Sequence, residues 1–180
     1  AGWDLHKQIR EEVAFTAGRI NVCGKTVTRG EQKRADFILY YRGHLPLALI
    51  EAKDNTHAVG AGMQQALDYA QALDIPFVYS SNGDAFLEHD RLATGGAVER
   101  EFNLDEFPSP DALYHRYVKA KNLAPAQERI IAQDYYHEID GKTPWYFQQV
   151  AINRATEAIA KGTDRLLLVM ATGTGKTYTA

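Results

Sequence analysis

Apolar side chains recur at two different periods along this chain, and the switch between them marks out the elements. From residue 8 to 22 the sequence reads as extended: Val13, Phe15 and Ala17 fall on every second position, and Gly18 breaks the run. Residues 24–34 (GKTVTRGEQKR) read as a polar, Gly-punctuated turn carrying four basic side chains. Residues 35–41 and 47–53 are two strand patterns joined by RGHLP, a hairpin-like connection. The period then lengthens. Met63, Ala66, Leu67 and Ala70 form the apolar stripe of a helix predicted over 58–73.

Pro76 introduces a strand, FVYSS, closed by the turn Asn82-Gly83-Asp84, and AFLEH and VEREF follow as shorter strands. Ser109 followed by Pro110 predicts a helix start, with Ser109 as N-cap and the helix reaching Asn122. Residues 123–143 carry no clear period and are the best candidate for a linker. Beyond them 145–160 reads as a helix, and 165–170 as a buried strand running into the glycine-rich ATGTGKT. The order β-β-β-α-β-β-α, then a fresh α-β-loop-α, predicts an α/β domain over 1–122, a linker over 123–143, and the beginning of a second domain over 144–180.

Bulk composition narrows the function more than the fold. With 20 basic against 23 acidic residues the net charge is −3, so the chain is not a polycation that coats nucleic acid. Any DNA chemistry must rest on a local basic patch, a metal or a partner. The single cysteine, Cys23, excludes an intrachain disulfide and suits a reducing compartment. The longest apolar run, 166–171, is strand-sized and too short to span a membrane. No secretory signal is visible. A first residue that is not Met, and a last residue inside a helix start, suggest a piece of a longer protein.

The chemistry is concentrated in the two paired strands. Strand alternation puts Leu47, Leu49, Glu51 and Lys53 on one side, opposite Ala48, Ile50 and Ala52, and puts Asp36 on the face of Ile38 and Tyr40. If the two strands form a hairpin, the start of one meets the end of the other, and Asp36 faces Glu51 and Lys53. Two converging carboxylates are costly unless a cation lies between them, and oxygen ligands suit Mg²⁺ or Mn²⁺. A lysine beside them can align or deprotonate a water for attack on a phosphodiester. An E-x-K triplet alone is common at solvent-facing strand ends; the position of Asp36 is what raises it above that background. A second constellation, Gly173-Thr174-Gly175-Lys176-Thr177, follows the predicted strand as a phosphate loop must. Its backbone N–H groups would wrap phosphate oxygens, Lys176 would reach the terminal phosphates, and Thr177 would ligate Mg²⁺.

These residues carry a resemblance. Asp36 followed by Glu51-Ala52-Lys53 resembles the P-D…(D/E)-x-K nuclease core, with Ala35 where that motif often has Pro. Gln65 and Tyr69 resemble the Q-x-x-x-Y motif of its RecB-like branch, and i,i+4 spacing points both to one side of the helix. ATGTGKT resembles motif I of superfamily 2 translocases, and Phe147-Gln148-x-x-Ala151-Ile152 resembles their adenine-reading Q motif. The stretches PLALIEAK, GAGMQQALDYA and PFVYSSNGDAF, and nearly the whole chain around them, resemble the N-terminal region of the restriction (motor) subunit of type I restriction–modification enzymes.

The resemblance implies a RecB-like core with a central mixed sheet flanked by helices, followed by the start of a RecA-like P-loop motor. It implies a site built from Asp36, Glu51, Lys53, Gln65 and Tyr69, with Mg²⁺ on Asp36 and Glu51. In the full protein, ATP with Mg²⁺ would sit on Gln148 and the 173–177 loop. Double-stranded DNA and the methylation and specificity subunits are the implied partners, in the cytoplasm, with DNA pumped by ATP hydrolysis and cut away from the recognition site. In such nucleases a Glu on an N-terminal helix often completes the site; Glu11 and Glu12 fall in the extended segment and are not assigned to that role. The alternatives are the nuclease of another helicase–nuclease fusion, or a DNA clamp or subunit-docking module that keeps the fold without cutting.

Overall fold

The computed structural model describes residues 1–16, 20–23, 26–29, 31–135 and 143–179, with only the backbone course for 20–23 and 26–29. Six strands form one sheet in the order β1-β4-β5-β6-β7-β8: β1 (Ile9–Thr16), β4 (Gln32–Tyr41), β5 (Leu45–Ala52), β6 (Phe77–Ser81), β7 (Ala85–Asp90) and β8 (Glu99–Asn103). Only β5 and β6 run parallel, because helix α1 (Met63–Leu73) crosses over between them. β2 (Ile20–Cys23) and β3 (Thr26–Arg29) form a separate two-stranded hairpin. The sequence-based turn over 24–34 is therefore corrected: β3 and the start of β4 fall within it. Thr26, Val27 and Thr28 are β-branched, and each pairs across to β2.

The sheet is mixed and covered on both faces. Beneath α1 lie Phe15, Ala35, Ile38, Tyr40, Leu49, Ile75 and Val78. The other face packs Leu39, Ala48, Phe77 and Tyr79 against α2 (Pro110–Ala120). α2 starts as predicted: Ser109 Oγ accepts the Ala112 N–H at 3.2 Å, and Pro110 takes the first helical position, where its missing donor costs nothing.

Three expectations fail locally, each for an identifiable reason. Leu47 lies with the α2-side cluster although Leu49 lies under α1. The register shifts from Leu39↔Ala48 to Tyr40↔Pro46, so Leu47 is an extra residue in β5 and the alternation resets there. The helix predicted from 58 begins only at Met63, because the preceding glycine is pinned against the sheet as described below. The candidate linker 123–143 contains α3 (Pro125–Ile131), with Ile131 and Ala132 buried in the α2-side core, and its residues 136–142 lie outside the described residues. Finally, 165–170 forms no strand. Leu167 and Val169 are 90% and 83% exposed, and among the described residues no strand lies beside the segment to accept its hydrogen bonds.

Helix α4 (Tyr146–Ala160) confirms the periodic reading, and it packs against β1, the end of α1 and α2. Tyr146 donates its hydroxyl to Thr16 O at 2.7 Å, Arg154 pairs with Asp74 at 2.7 Å, and Glu157 accepts from Lys121 and Tyr117. A four-residue helix, α5 (Lys176–Thr179), follows the glycine loop. Among the described residues no helix is long and apolar enough to cross a membrane.

Candidate active site

The antiparallel pair Phe37↔Ile50 sets the site, because one step further Asp36 and Glu51 stand side by side. The Asp36 carboxylate accepts the Ala52 N–H at 2.8 Å, which fixes it at the end of β5. Its placement is less regular than strict alternation implies. Ala35 and Ile38 both pack beneath α1, so the alternation is broken between them, at Asp36 and Phe37. The facing residue of β1, Glu12, holds a left-handed φ of 50°, which marks the same irregularity in the neighbouring strand. Glu12 pairs with Arg34 at 3.1 Å, and Glu11 is exposed, so neither adds a carboxylate to the pair.

Glu51 is 2% exposed at the end of an otherwise apolar strand. Its Oε1 accepts from Lys53 Nζ at 3.0 Å and, more closely, from Gln65 Nε2. Its Oε2 is buried with no hydrogen-bond partner. Burial pushes the Glu51 carboxyl above its ordinary range; Lys53 pulls it back, and the negative charge of Asp36 pushes it up again. The structure thus holds a buried, half-satisfied carboxylate against a second carboxylate, an arrangement that a cation would relieve.

Gln65 ties the group together. Its Nε2 donates to Glu51 and to the Tyr69 hydroxyl (3.1 Å), while its Oε1 accepts from Lys53 Nζ at 3.5 Å. Four of the five residues of the predicted site, Glu51, Lys53, Gln65 and Tyr69, therefore share one hydrogen-bonded network, and Asp36 stands beside it, bonded to the Ala52 N–H. Tyr69 packs in turn against Phe15 in a T-shaped contact, with centroids 5.0 Å apart and planes at 83°. Asp54, next to Lys53, is committed elsewhere: hydrogen bonds from Thr56 and His57 hold its carboxyl down at about 2.

Two residues that sequence reasoning missed shape this site. Gly62 caps α1, and its N–H donates to Ser80 Oγ at 3.1 Å. A Cβ on Gly62 would come within 3.0 Å of both Glu51 Cγ and Ser80 Oγ, so only glycine lets the helix start this close to the carboxylate. Ser80 is fully buried beside Glu51 on the parallel neighbour. The available signal was the serine pair in FVYSS, a strand otherwise suited to complete burial.

The phosphate-loop residues sit apart, around the start of α4. Gln148 is 3% exposed; its Oε1 accepts the Trp145 N–H at 2.8 Å, and its Nε2 donates to Thr174 O at 3.0 Å. Its amide is thus used within the protein, between helix and loop. Gly173 and Gly175 hold φ of 79° and 75°, and a Cβ on Gly175 would collide with the Gln148 amide. Lys176 and Thr177 are exposed at the start of α5. A cleft of 840 Å³ lies between α4 and the extended 166–171 segment.

Comparison with known proteins gives these features a lineage. The family described as type I restriction enzyme R protein N terminus matches residues 5–99, and the type III restriction enzyme res subunit family matches residues 141–180. The chain is 49% identical, over its whole length, to the type I restriction enzyme EcoAI endonuclease subunit of Escherichia coli, covering 22% of that protein. Over 87% of its length it is 26% identical to the EcoKI endonuclease subunit of Escherichia coli K12, covering 17% of that protein. A solved fragment of an HsdR subunit of a type I restriction enzyme from Vibrio vulnificus YJ016 superposes with a TM-score of 0.79 at 42% identity, over 99% of this chain and 33% of that one. The chain therefore spans about a fifth of the curated relatives it matches, and it belongs to the N-terminal family of type I restriction enzyme R proteins.

Proposed function

We propose that this chain is the Mg²⁺-dependent endonuclease portion of a type I restriction subunit, cutting DNA phosphodiester bonds at Asp36, Glu51 and Lys53 on a RecB-like core. The observation that carries this reading is the unpartnered, buried Oε2 of Glu51 beside the Asp36 carboxylate. That atom and Asp36 are the oxygen donors that would hold a divalent cation. Among the described residues no cluster of three or more acidic, His or Cys side chains exists, so remaining positions would fall to backbone oxygens, water or the DNA. When bound there, Mg²⁺ supplies Lewis-acid stabilisation of the charge developing on the phosphodiester.

The protein's own residues do the rest. Lys53, with its ammonium hydrogen-bonded to Glu51, stands where it can orient a water or donate to a phosphate oxygen as negative charge builds. Gln65 holds Lys53 and Glu51 at fixed separation through one amide, and Tyr69 braces that amide. Glu51 accepts from Lys53 and keeps the ammonium aimed along the strand end. Residues 1–122 would form this nuclease, 123–143 the connection, and 144–180 the opening of an ATP-driven, RecA-like translocase. There the 173–177 loop and Lys176 would cradle the nucleotide phosphates, with Gln148 turning from the loop to the adenine. In the full protein the methylation and specificity subunits would supply sequence recognition, which accounts for an acidic chain acting on double-stranded DNA.

The deciding experiment is Mg²⁺-dependent cleavage of duplex DNA by the full-length subunit in its assembled complex. Lys53→Ala and Asp36→Ala should each abolish cleavage while leaving ATP-dependent translocation in place. Wild-type cutting by both variants would refute the assignment, and would favour a docking or clamp role for the domain.

A further inference from the structure

Lys33 is a half-buried cation without an anionic partner. It lies in β4, three residues before Asp36, and its Nζ stands 5.4 Å from the centre of the Tyr69 ring. Arg10 and Arg42 also face tyrosine rings without a carboxylate, but away from Tyr69, and the remaining basic side chains around the site's side of the sheet are paired. Arg34 pairs with Glu12, Lys53 with Glu51, and Arg100 and Arg116 with Glu88. Among the described residues no carboxylate reaches Lys33. In a chain with more acidic than basic residues, such a cation marks a place where the negative charge comes from outside.

Resting on the nuclease reading above, we propose that Lys33 binds a DNA backbone phosphate flanking the one cut at Asp36, Glu51 and Lys53. Three residues of strand separate Lys33 from Asp36 by about 10 Å, and phosphates of one DNA strand step about 3.4 Å along the helix axis, so its reach falls within a few nucleotides of the cut. The side chain lies on the catalytic face of the sheet, since Tyr69 belongs to α1 and bonds to Gln65. Phe15, its register partner in β1, packs against the same ring in a T-shaped contact. The Tyr69 face thus orients the ammonium toward the site while leaving it free of a salt bridge. The neighbouring sequence has the charge this needs: Lys25, Arg29, Lys33 and Arg34 stand against a single Glu31 between residues 24 and 34. Lys33 binds substrate and takes no part in the chemical step.

The test is binding of a short DNA duplex by the chain across a range of salt concentrations, without divalent cation, for wild type, Lys33→Met and Lys33→Arg. Lys33→Met keeps the aliphatic stem and loses the charge. It should bind several-fold more weakly at physiological ionic strength and lower the salt slope by about 0.9, the share of one phosphate contact. Lys33→Arg should restore both. Unchanged affinity and slope in Lys33→Met would overturn the proposal, as would weaker binding that Arg fails to rescue and that accompanies a lower melting temperature. Cleavage by Lys53→Ala separates the two readings: if it cuts normally, the nuclease assignment fails whatever Lys33 does. If it is dead while Lys33→Met binds like wild type, only the Lys33 contact is lost.

Discussion

Replacing Glu51 by Gln should make the protein more stable and inactive at once. In the absence of a divalent cation, Glu51 carries its charge into a site that is 2% exposed, with Oε2 unpartnered and Asp36 adjacent. Its folded-state carboxyl is raised above the ordinary 4.5, chiefly by burial. The resulting contribution favours the fold below the unfolded value and is lost as pH rises through the folded one, so at neutral pH the ionised group weighs against folding. A buried polar atom without a partner costs about 1–3 kcal/mol. Gln keeps an oxygen to accept from Gln65 and Lys53, but the amide nitrogen replacing Oε2 also lacks a partner, which leaves a net gain of about 1 kcal/mol. For a chain of this size that is roughly a 2–4 °C rise in Tm. Thermal unfolding followed by circular dichroism at pH 5 and pH 7, with and without Mg²⁺, measures it. Wild type should lose stability from pH 5 to 7 without the cation and regain it with Mg²⁺, whereas Glu51→Gln should show neither response. Cleavage by the variant should fall at least about 100-fold, more than a typical loss of an outer supporting contact. A variant less stable than wild type at pH 7 without Mg²⁺, or equal stabilisation of both by Mg²⁺, would refute the idea that Glu51 is held for a cation.

Two further substitutions probe the scaffold. Gly62→Ala places a methyl 3.0 Å from Glu51 Cγ and Ser80 Oγ, and should cost about 1–3 kcal/mol by overpacking, with cleavage reduced further than stability alone explains; denaturant unfolding and cleavage rates together check this. Arg116→Met removes two hydrogen bonds, 2.7 and 2.9 Å, from Glu88, a carboxylate 2% exposed that Tyr79 and Arg100 still contact. Because Arg116 is a third exposed and Arg100 remains, the loss should be about 2–3 kcal/mol, below the usual 3–5 for a broken buried pair, read from urea midpoints. The Glu88 carboxyl lies below its ordinary value because those hydrogen bonds outweigh burial, so wild type should shed this stability as pH falls through the lowered value, and the variant should shed less.

The parts of the fold legible in the sequence were those governed by period and by local end signals. Antiparallel order was enough to bring Asp36 to Glu51, and the Ser109-Pro110 start of α2 is visible in four letters. What the sequence hid were departures from period. The extra residue at Leu47 exists only relative to the register of β4, and the break between Ala35 and Ile38 accompanies a left-handed Glu12 on a different strand. Neither strand signals its irregularity alone. The 165–170 segment failed for a different reason. Its composition is that of a central strand, but a strand is a property of a pair, and periodicity reads only one member of it.

The same distinction explains why Gln65 mattered more than its place in a motif suggested. Helical spacing could show only that Gln65 and Tyr69 point one way. In the folded chain both hydrogens of the Gln65 amide are donated, to Glu51 and Tyr69, and its oxygen faces Lys53, so one neutral side chain contacts three others without adding charge to a crowded carboxylate site. A lysine or arginine there would neutralise Glu51 and compete with a cation; an aliphatic residue would leave Glu51 and Lys53 free to drift. An amide is the group that can donate to the carboxylate, accept from the ammonium and stay neutral through both. Its identity therefore follows from the electrostatics of Asp36 and Glu51 rather than from the helix that carries it.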